Sequence, residues 1–159
     1  MESTKEFQEE TRRYFDRLAK DYDDSCDGRF VRCMYREVIR RAVSLPGDRV
    51  LDLGCGNGNL IRRLREVKQA SCWGADLSSQ MIREAGKNLG DKVNLTVADA
   101  AALPYGDGQF DIVICNASFH HYTEPERAVE EIRRVLKTGG TLILGDPTIP
   151  GRLARKLLN

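Results

Sequence analysis

The sequence predicts an α/β fold in which five strands form a doubly wound, mostly parallel sheet with helices on both faces. Two observations support this prediction. Short apolar, β-branched segments alternate with longer segments whose apolar residues recur every three or four positions. A glycine-rich stretch, VLDLGCGNG at 50–58, overlaps the first of the short segments and continues beyond its end. Such alternation along one chain is typical of parallel sheets with right-handed crossovers.

The composition is that of an ordinary globular chain. Of 159 residues, 41% are hydrophobic and 31% charged, and 25 Lys and Arg balance 24 Asp and Glu, so no strong field attracts nucleic acid. No apolar run reaches the roughly 20 residues of a membrane span, and the polar start MESTKEFQEE is not a secretory signal. We therefore expect a cytoplasmic protein. Its five cysteines include no CxxC pair, which disfavours a disulfide framework or a zinc site.

Two helices are predicted within residues 1–45, before the first strand. Aromatic and leucine residues between positions 5 and 22 fall on one helical face, and residues 29–45 repeat the pattern between arginines. The Pro-Gly-Asp sequence at 46–48 ends the second helix. The core is then expected to span 46–146 and to be followed by a tail, 147–159, all within a single domain.

The strands and helices of the predicted core follow in order. The strands are expected at 49–53, 70–75, 92–98, 110–115 and 141–144. Helices are expected at 58–67 and from Ser78 or Ser79, either of which can cap the first turn, to about Asn88. A further helix is expected to begin with a capping box and an early proline at 123–126 and to have Leu136 on its apolar face. The Thr-Gly-Gly sequence at 138–140 is expected to end it.

The glycine loop by itself is compatible with three structures. Gly54 and Gly56 fit the GxGxxG pattern of a dinucleotide loop, but position 59 is Asn59 and the third glycine is Gly58. Glycines let the backbone approach a ligand closely, and free amides at the start of the next helix attract anions. A dinucleotide loop, a loop for another nucleotide-like cofactor and a tight turn all remain open.

Two acidic residues follow the next predicted strands, at the edge where such sheets bind ligands. Asp76 lies 20 residues after Gly56, where an acid accepts hydrogen bonds from ribose hydroxyls, although it can instead cap the helix before Ser78. Asp99 can accept from an exocyclic adenine amine while the Ala100 amide meets a ring nitrogen, although a plain Asx turn is the alternative. Together with the loop, these residues favour a nucleotide-like cofactor.

This set of motifs resembles class I S-adenosylmethionine-dependent methyltransferases, above all small-molecule enzymes of the ubiquinone/menaquinone-biosynthesis type. The resemblance covers nearly the whole chain and implies a Rossmann-like fold, with S-adenosyl-L-methionine as cofactor and S-adenosyl-L-homocysteine as product. The matching segments are VLDLGCGNG (50–58), GADLSSQMI (74–82), VADAAALPYGDGQFDIVICNASFHH (97–121) and RVLKTGGTLIL (134–144), with YFDRLAKDYD (14–23) resembling the helix before the core.

The resemblance also implies particular roles for residues. The backbone of the loop would hold the methionine end of the cofactor near Asp52, and Asp76 would bind the ribose. Asn116 would offer its backbone carbonyl to the cofactor's amino group. Tyr22 would either close over the cofactor or serve as a core aromatic. The expected cofactor contacts are Tyr22, Asp52, Gly54, Cys55, Gly56, Asn57, Asp76, Leu77, Met81, Asp99, Ala100, Asn116, Ala117 and His121, with Leu77 and Met81 near the adenine.

Methyl transfer mainly requires alignment of the acceptor with the methyl group, so no fixed catalytic residue is required. Where the acceptor needs a base, the candidates are His121 and then His120, the only histidines of the chain. Alternatively, one caps local backbone and the other packs beneath the cofactor.

Several absent motifs narrow the acceptor. The sequence after strand four is NASF rather than the Asn/Asp-Pro-Pro-aromatic of many amino-methylating enzymes, and no Pro-Cys nucleophile is present. No second carboxylate is obviously placed with Asp146 for a magnesium site. A small-molecule acceptor is therefore favoured over nucleic acid, with no metal.

The chain departs from the family pattern at its end. Family members continue past strand five with a helix and two more strands, whereas this chain has 15 residues after Leu144. We expect a truncated form or fragment lacking those strands, whose tail starts the helix. Strand five would then be an exposed edge, covered by a homodimer contact or by the tail.

Three functions are therefore open. The first is S-adenosylmethionine-dependent methyl transfer to a small molecule. The second is a domain that binds S-adenosylmethionine or S-adenosylhomocysteine without turnover, because its C-terminal part is missing. An NAD-dependent dehydrogenase is the least favoured, because Asn59 replaces the third glycine of its fingerprint.

Overall fold

The computed structural model of the chain describes residues 2–146. Its centre is one sheet of five strands, with the order β3-β2-β1-β4-β5 and parallel pairing throughout. This confirms the predicted doubly wound α/β fold. The strands are β1 (Arg49–Leu53), β2 (Ser71–Asp76), β3 (Asn94–Val97), β4 (Phe110–Asn116) and β5 (Leu136–Gly145). The predicted tail, 147–159, lies outside the described residues.

Helices cover both faces of this sheet. Three of them, α2, α3 and α4, pack with one face of the central strands into one apolar cluster, and α5 packs on the opposite face. The helices are α1 (Glu2–Leu18), α2 (Cys26–Ser44), α3 (Asn59–Val67), α4 (Ser79–Leu89) and α5 (Pro125–Val135), with 3-10 turns at Ala19–Asp24, Gly90–Lys92 and Phe119–His121. No helix within 2–146 is both long and apolar enough to cross a membrane.

The strand order shows where the sheet can bind a ligand. All seven residues of β4 are buried, as expected for a central parallel strand covered on both faces. The order reverses between β1 and β4, which lie side by side. Their carboxyl ends therefore face a crevice at the switch point, the position where sheets of this class bind ligands.

The N-terminal helices differ from their predicted bounds. The first helix ends at Leu18 rather than continuing to position 22, because Asp21 leaves helical backbone angles (φ −110°, ψ 18°). Tyr22 therefore lies in a 3-10 turn. The second helix begins earlier than predicted, because the Ser25 hydroxyl accepts a hydrogen bond from the Gly28 amide at 3.0 Å and caps it.

The last helix and strand also differ from their predictions. The predicted capping box is wrong, because Glu124 is the N-cap without a side-chain cap bond and its carboxylate accepts from Arg127 instead. Leu136 does not extend α5 but begins β5, where its backbone is extended and pairs with Phe110. In addition, residues 98–109 join β3 to β4 without a helix, so the predicted alternation is interrupted there.

One carboxylate holds the starts of β1, β4 and β5 together at the amino end of the sheet. Asp111 at the start of β4 accepts hydrogen bonds from the backbone amides of Asp48 and Arg49, at 3.0 and 2.9 Å, and pairs with Lys137. The Lys137 ammonium, followed by the Arg49 amide, lowers the pKa of Asp111. This carboxylate thereby fixes the entry to β1 against β4.

Candidate functional site

A cavity of about 110 Å³ lies between the carboxyl ends of the strands and the N-terminal helices. Every residue predicted to contact the cofactor lies in its wall, whereas His120 does not. The predicted residues in the wall are Tyr22, Asp52, Gly54, Cys55, Gly56, Asn57, Asp76, Leu77, Met81, Asp99, Ala100, Asn116, Ala117 and His121. The structure thus brings these side chains and backbone segments to one place.

The glycine loop needs its glycines for conformation and for space. Gly54, Gly56 and Gly58 all have positive φ, at 79°, 52° and 81°. A Cβ at Gly54 would lie 2.4 Å from the Cβ of Ser118, so a larger residue does not fit. The amides of Gly54 and Cys55 both donate to the Ala75 carbonyl, which fixes the loop against the end of β2.

Asp76 fastens the glycine loop to the start of α4. One of its carboxylate oxygens accepts from the Gly56 amide and the other from the Ser78 amide, both at 2.9 Å. Burial raises the pKa of Asp76. The capping alternative is therefore present in the structure. Because each carboxylate oxygen has two lone pairs, the same side chain retains acceptor sites toward the cavity.

Asp99 is engaged by the N-terminal helix. One carboxylate oxygen accepts from the Ala101 amide at 2.9 Å, which is the Asx turn considered above. The other accepts from the side-chain amide of Gln8 at 2.5 Å. A further contact joins α1 to the same edge, since the Ser78 hydroxyl donates to Asp16 at 2.6 Å. Helix α1 thus closes the side of the cavity where adenine contacts were predicted.

Two buried polar side chains in the cavity wall have no hydrogen-bond partner within residues 2–146. Among the described residues none hydrogen-bonds the side-chain amide of Asn116, whose nitrogen and oxygen are both buried. Asp52, 3% exposed, likewise accepts no hydrogen bond from the part of the chain described here, and burial, followed by the charge of Asp76, raises its pKa to about 8. Unpaired buried polar groups cost free energy, so the pair indicates a place for a polar ligand.

Asp52 and Asn116 lie on neighbouring strands and face the same way. Asp52 pairs with Ile114, two residues before Asn116 in β4, so the two side chains point to the same side of the sheet. Ile114 packs in the cluster beneath α2, together with Tyr35. Tyr35 also lines the cavity. The two polar groups therefore converge below α2.

The two histidines occupy different positions. His121 lines the cavity, with its ring edge-to-face against Phe15 at 5.0 Å and 3.9 Å from the His120 ring. Burial, followed by the neighbouring His120, lowers the pKa of His121. His120 lies behind it, with Nδ1 2.8 Å from Asp146, and the same carboxylate oxygen accepts from the His120 backbone amide at 2.9 Å.

Sequence reasoning missed several residues of the site. Asp23, in the 3-10 turn after α1, accepts hydrogen bonds from the side-chain amides of Asn57 at 3.0 Å and Asn59 at 2.7 Å. The asparagine in place of the third glycine was the available signal, since its side chain needs a partner. Asp23 itself is not in the wall. The wall residues that were not predicted include Phe15, Val31 and Tyr35, which lie on helical faces that periodicity marks only as apolar.

No metal site emerges from this geometry. Within residues 2–146 no three His, Cys, Asp or Glu side chains are grouped closely enough to hold a metal ion. All five cysteines are free thiols; Cys26 and Cys33 are exposed, and Cys55, Cys72 and Cys115 are buried.

Comparison with known proteins agrees with this geometry. Residues 51–144 match the family model described as a methyltransferase domain. The chain is 36% identical to the 27-O-demethylrifamycin SV methyltransferase of Amycolatopsis mediterranei, over 67% of this chain and 42% of that protein. It is 33% identical to the ubiquinone/menaquinone biosynthesis C-methyltransferase UbiE of Laribacter hongkongensis, over 82% of this chain and 57% of that protein.

One solved structure with the same fold is named as a cyclase rather than as a methyltransferase. The [4+2]-cyclase SpnF superimposes with a TM-score of 0.64 and 34% identity, over 70% of this chain and 43% of that chain. The chain spans about half the length of the curated relatives that it matches. The matched family model spans more than half of this chain and contains the glycine loop, Asp76 and Asn116. The chain belongs to the class I S-adenosylmethionine-dependent methyltransferase family.

Proposed function

We propose that this chain binds S-adenosylmethionine in the cavity and transfers a methyl group to a small-molecule acceptor. The observation that carries the proposal is the convergence of Asp52 and Asn116 beside the glycine loop, where neither side chain has a hydrogen-bond partner among residues 2–146. A ligand that supplies both a cation and hydrogen-bonding groups would satisfy these side chains at once. The methionine end of S-adenosylmethionine carries an ammonium and a carboxylate.

The remaining wall residues fit the rest of the cofactor. Asp76 retains acceptor sites for ribose hydroxyls, and Leu77 and Met81 offer apolar surface for the adenine. Asp99 would bind the adenine amine only after giving up its bond to Gln8. When bound, S-adenosylmethionine supplies an activated methyl group on a sulfonium centre.

The chain itself contributes alignment and exclusion of water. Helix α1 and the turn containing Tyr22 close the cavity from above the strand ends. Phe15 packs its ring against His121 and thereby holds that side chain at the wall. Such orientation of the reacting groups supplies most of the rate enhancement expected for an in-line methyl transfer.

A small molecule is the proposed acceptor class. The relatives named above act on a rifamycin derivative and in ubiquinone or menaquinone biosynthesis, as their names state. The net charge of +1 gives the chain no field that would recruit nucleic acid.

Cofactor binding without methyl transfer is the second candidate. Two observations favour it: the chain spans only about half of its relatives, and a close structural neighbour is named as a cyclase. A dehydrogenase is disfavoured, since the position of the third dinucleotide glycine is Asn59, whose side chain is bound by Asp23.

Calorimetric titration of the chain with S-adenosylmethionine, S-adenosylhomocysteine and NAD tests the proposed cofactor. We expect both sulfur compounds to bind and NAD not to bind; binding of NAD alone would overturn the proposal. Asp76→Ala should weaken S-adenosylmethionine binding by about 1–3 kcal/mol, because ribose hydroxyls lose their partner. Asp107→Ala, at an 84% exposed side chain, is the matched control and should leave affinity unchanged.

A methyl-transfer assay then separates the two candidates. S-adenosylmethionine is incubated with the chain and representatives of each acceptor class, and formation of S-adenosylhomocysteine is measured. Tight binding of the cofactor without transfer to any class would favour the domain without turnover.

A further inference from the structure

We propose that Gln8 determines how strongly the cavity selects the amino group of the cofactor's base. Its side-chain amide occupies the acceptor that an adenine amine would use, so the protein's own side chain already satisfies the adenine end of the cavity. The inference rests on the proposed function, because it concerns the base of the cofactor proposed for this cavity. It adds a specificity-determining residue that neither the glycine loop nor the strand ends supply.

Helix α1 presents Gln8 to the cavity. Gln8, Thr11 and Phe15 follow at three- and four-residue spacing and all lie in the cavity wall, so they form one face of the helix. Gln8 is the member of this face whose side chain carries an amide. Its Nε2 donates a hydrogen bond to Asp99 Oδ2 at 2.5 Å. A side chain from outside the sheet therefore reaches the residue that was predicted to bind adenine.

The carboxylate of Asp99 has little freedom to offer its other oxygen. Oδ1 accepts from the Ala101 amide at 2.9 Å, which holds the carboxylate in an Asx turn. The remaining oxygen, Oδ2, is the one that Gln8 binds. It keeps a second lone pair, but Gln8 itself lies in the wall beside it, so the limit is space rather than lone pairs. An adenine amine that reaches Oδ2 must therefore move the Gln8 amide.

The Gln8 amide and the adenine amine are equivalent donors. Each is a planar NH2 group on a trigonal carbon, and each can donate to a carboxylate oxygen at the same distance. One hydrogen bond to Asp99 is thus exchanged for another when adenine enters. Because Gln8 is only half-buried, its displaced amide can turn to water. The net free energy gained from the amino group of the base is therefore small.

The methionine end of the proposed cofactor meets a different wall. The side chains of Asp52 and Asn116 have no hydrogen-bond partner within residues 2–146, so a ligand there forms bonds that this part of the chain does not supply. We therefore assign more of the binding free energy to the methionine end than to the amino group of the base.

Displacement of the Gln8 side chain does not require α1 to leave the sheet. Asp16, about two turns further along the helix, accepts from the Ser78 hydroxyl at 2.6 Å and pairs with Arg12 at 2.7 Å. Because Gln8 and Asp16 lie about 12 Å apart along the helix axis, the Gln8 side chain can rotate while this second contact stays intact.

Two ligands and two proteins test the proposal. The ligands are S-adenosylhomocysteine and its 6-deamino analogue, whose purine carries hydrogen in place of the amino group. The proteins are the wild type and Gln8→Leu, which removes the amide and keeps a helix-forming side chain of similar size. Calorimetric titration gives four dissociation constants, and together these measure the coupling between Gln8 and the amino group.

We expect the wild type to bind the two ligands within about 3-fold of each other. In Gln8→Leu, S-adenosylhomocysteine should bind roughly 3- to 10-fold more tightly, because Asp99 then lacks the Gln8 bond until adenine arrives. The 6-deamino analogue should not bind more tightly, because it does not compete with Gln8. Gln69→Leu, the same substitution at an exposed glutamine outside the cavity wall, is the matched control and should change neither affinity.

Two results would overturn the proposal. Equal tightening of both ligands in Gln8→Leu would show a general effect of α1 on the cavity. Unchanged or weaker binding of S-adenosylhomocysteine would show that Gln8 does not compete with the adenine amine. If Gln8→Leu does not fold, Gln8→Asn gives the same test, because its shorter side chain withdraws the amide from Asp99.

Failure of the proposed function gives a different pattern. In that case neither ligand binds the wild type or either variant, and the inference falls with the proposed function. Binding of S-adenosylhomocysteine that Gln8→Leu leaves unaltered overturns only the role of Gln8.

Discussion

The aspartates at the two ends of the sheet differ in their hydrogen-bond partners and in the direction of their pKa shifts. At the amino end, Asp111 accepts from two backbone amides and pairs with Lys137, and its pKa is lowered. At the carboxyl end, Asp52 has no such partner within residues 2–146, and its pKa is raised to about 8. The same residue type is structural where its bonds are complete and available for a ligand where they are not.

The largest expected difference between the two ends is in stability. Asp111→Ala leaves the amides of Asp48 and Arg49 without their acceptor, and we expect a loss of about 2–3 kcal/mol in the free energy of unfolding. Chemical denaturation at pH 7 measures it. Asp107→Ala, at an exposed surface pair, should stay within about 0.5 kcal/mol. A comparable loss in both variants would show that Asp111 has no special role.

The pH dependence of this effect has a definite sign. The folded state holds the pKa of Asp111 below its unfolded value, so its contribution is present above the unfolded pKa and is lost as pH falls through the folded pKa. The difference in stability between the wild type and Asp111→Ala should therefore shrink on acidification. A difference that grows toward low pH would contradict the assignment.

The next largest effect should be on cofactor affinity. Asp52→Asn removes the carboxylate proposed to meet the cofactor ammonium, and we expect S-adenosylmethionine to bind about 1–2 kcal/mol more weakly. Calorimetry measures the change, with Asp107→Asn as the matched control. If Asp52→Asn binds as tightly as wild type, Asp52 does not touch the methionine end.

The contribution of Asp52 to the free energy of unfolding should change with pH in the opposite direction to that of Asp111. The folded protein keeps the Asp52 proton up to about pH 8, whereas the unfolded chain releases it near its usual pKa of about 4. Its contribution is thus fully present below pH of about 4 and is lost as pH rises toward 8. The melting temperature of Asp52→Asn should fall less than that of wild type between pH 5 and 8.

The smallest effect concerns backbone strain at the two ends. At the amino end the residue with positive φ is a glycine, Gly47. At the carboxyl end it is Ala117, with φ 52°, the only non-glycine residue with positive φ among residues 2–146. Relief of strain in Ala117→Gly outweighs the added chain entropy, so we expect stabilisation by about 0.5 kcal/mol. Denaturant unfolding measures it. Ala102→Gly, without positive φ, should instead destabilise the protein.

The same contrast explains what the sequence could predict. Strand ends are visible as apolar runs that stop at Gly54, Asp76 or Asn116. Motif spacing then indicated the glycine loop, Asp76 and Asp99, and the resemblance to the methyltransferase family supplied most of the other cavity residues. Tertiary partners are not visible in this way. Gln8 and Asp99 lie 91 positions apart and Asp16 and Ser78 lie 62 apart, and apolar periodicity does not say which polar side chains meet.

The sequence prediction was also wrong where strand pairing outweighed the helical periodicity of the local sequence. Leu136 continues the apolar spacing of α5, yet it begins β5, because its pairing with Phe110 outweighs one more helical turn. His120 illustrates the same limit at the site. Its sequence position suggested a base, but only the fold shows that it contacts Asp146 rather than lining the cavity.

Asp23 links two parts of the chain that the sequence keeps apart. Its carboxylate joins the segment between α1 and α2 to Asn57 and Asn59 at the glycine loop. Whatever tightens that loop therefore also lowers the free energy of the docked N-terminal segment, and docking of that segment tightens the loop by an equal amount. The N-terminal helices are in this sense thermodynamically coupled to cofactor binding, and their protection from amide exchange should rise when the cavity fills.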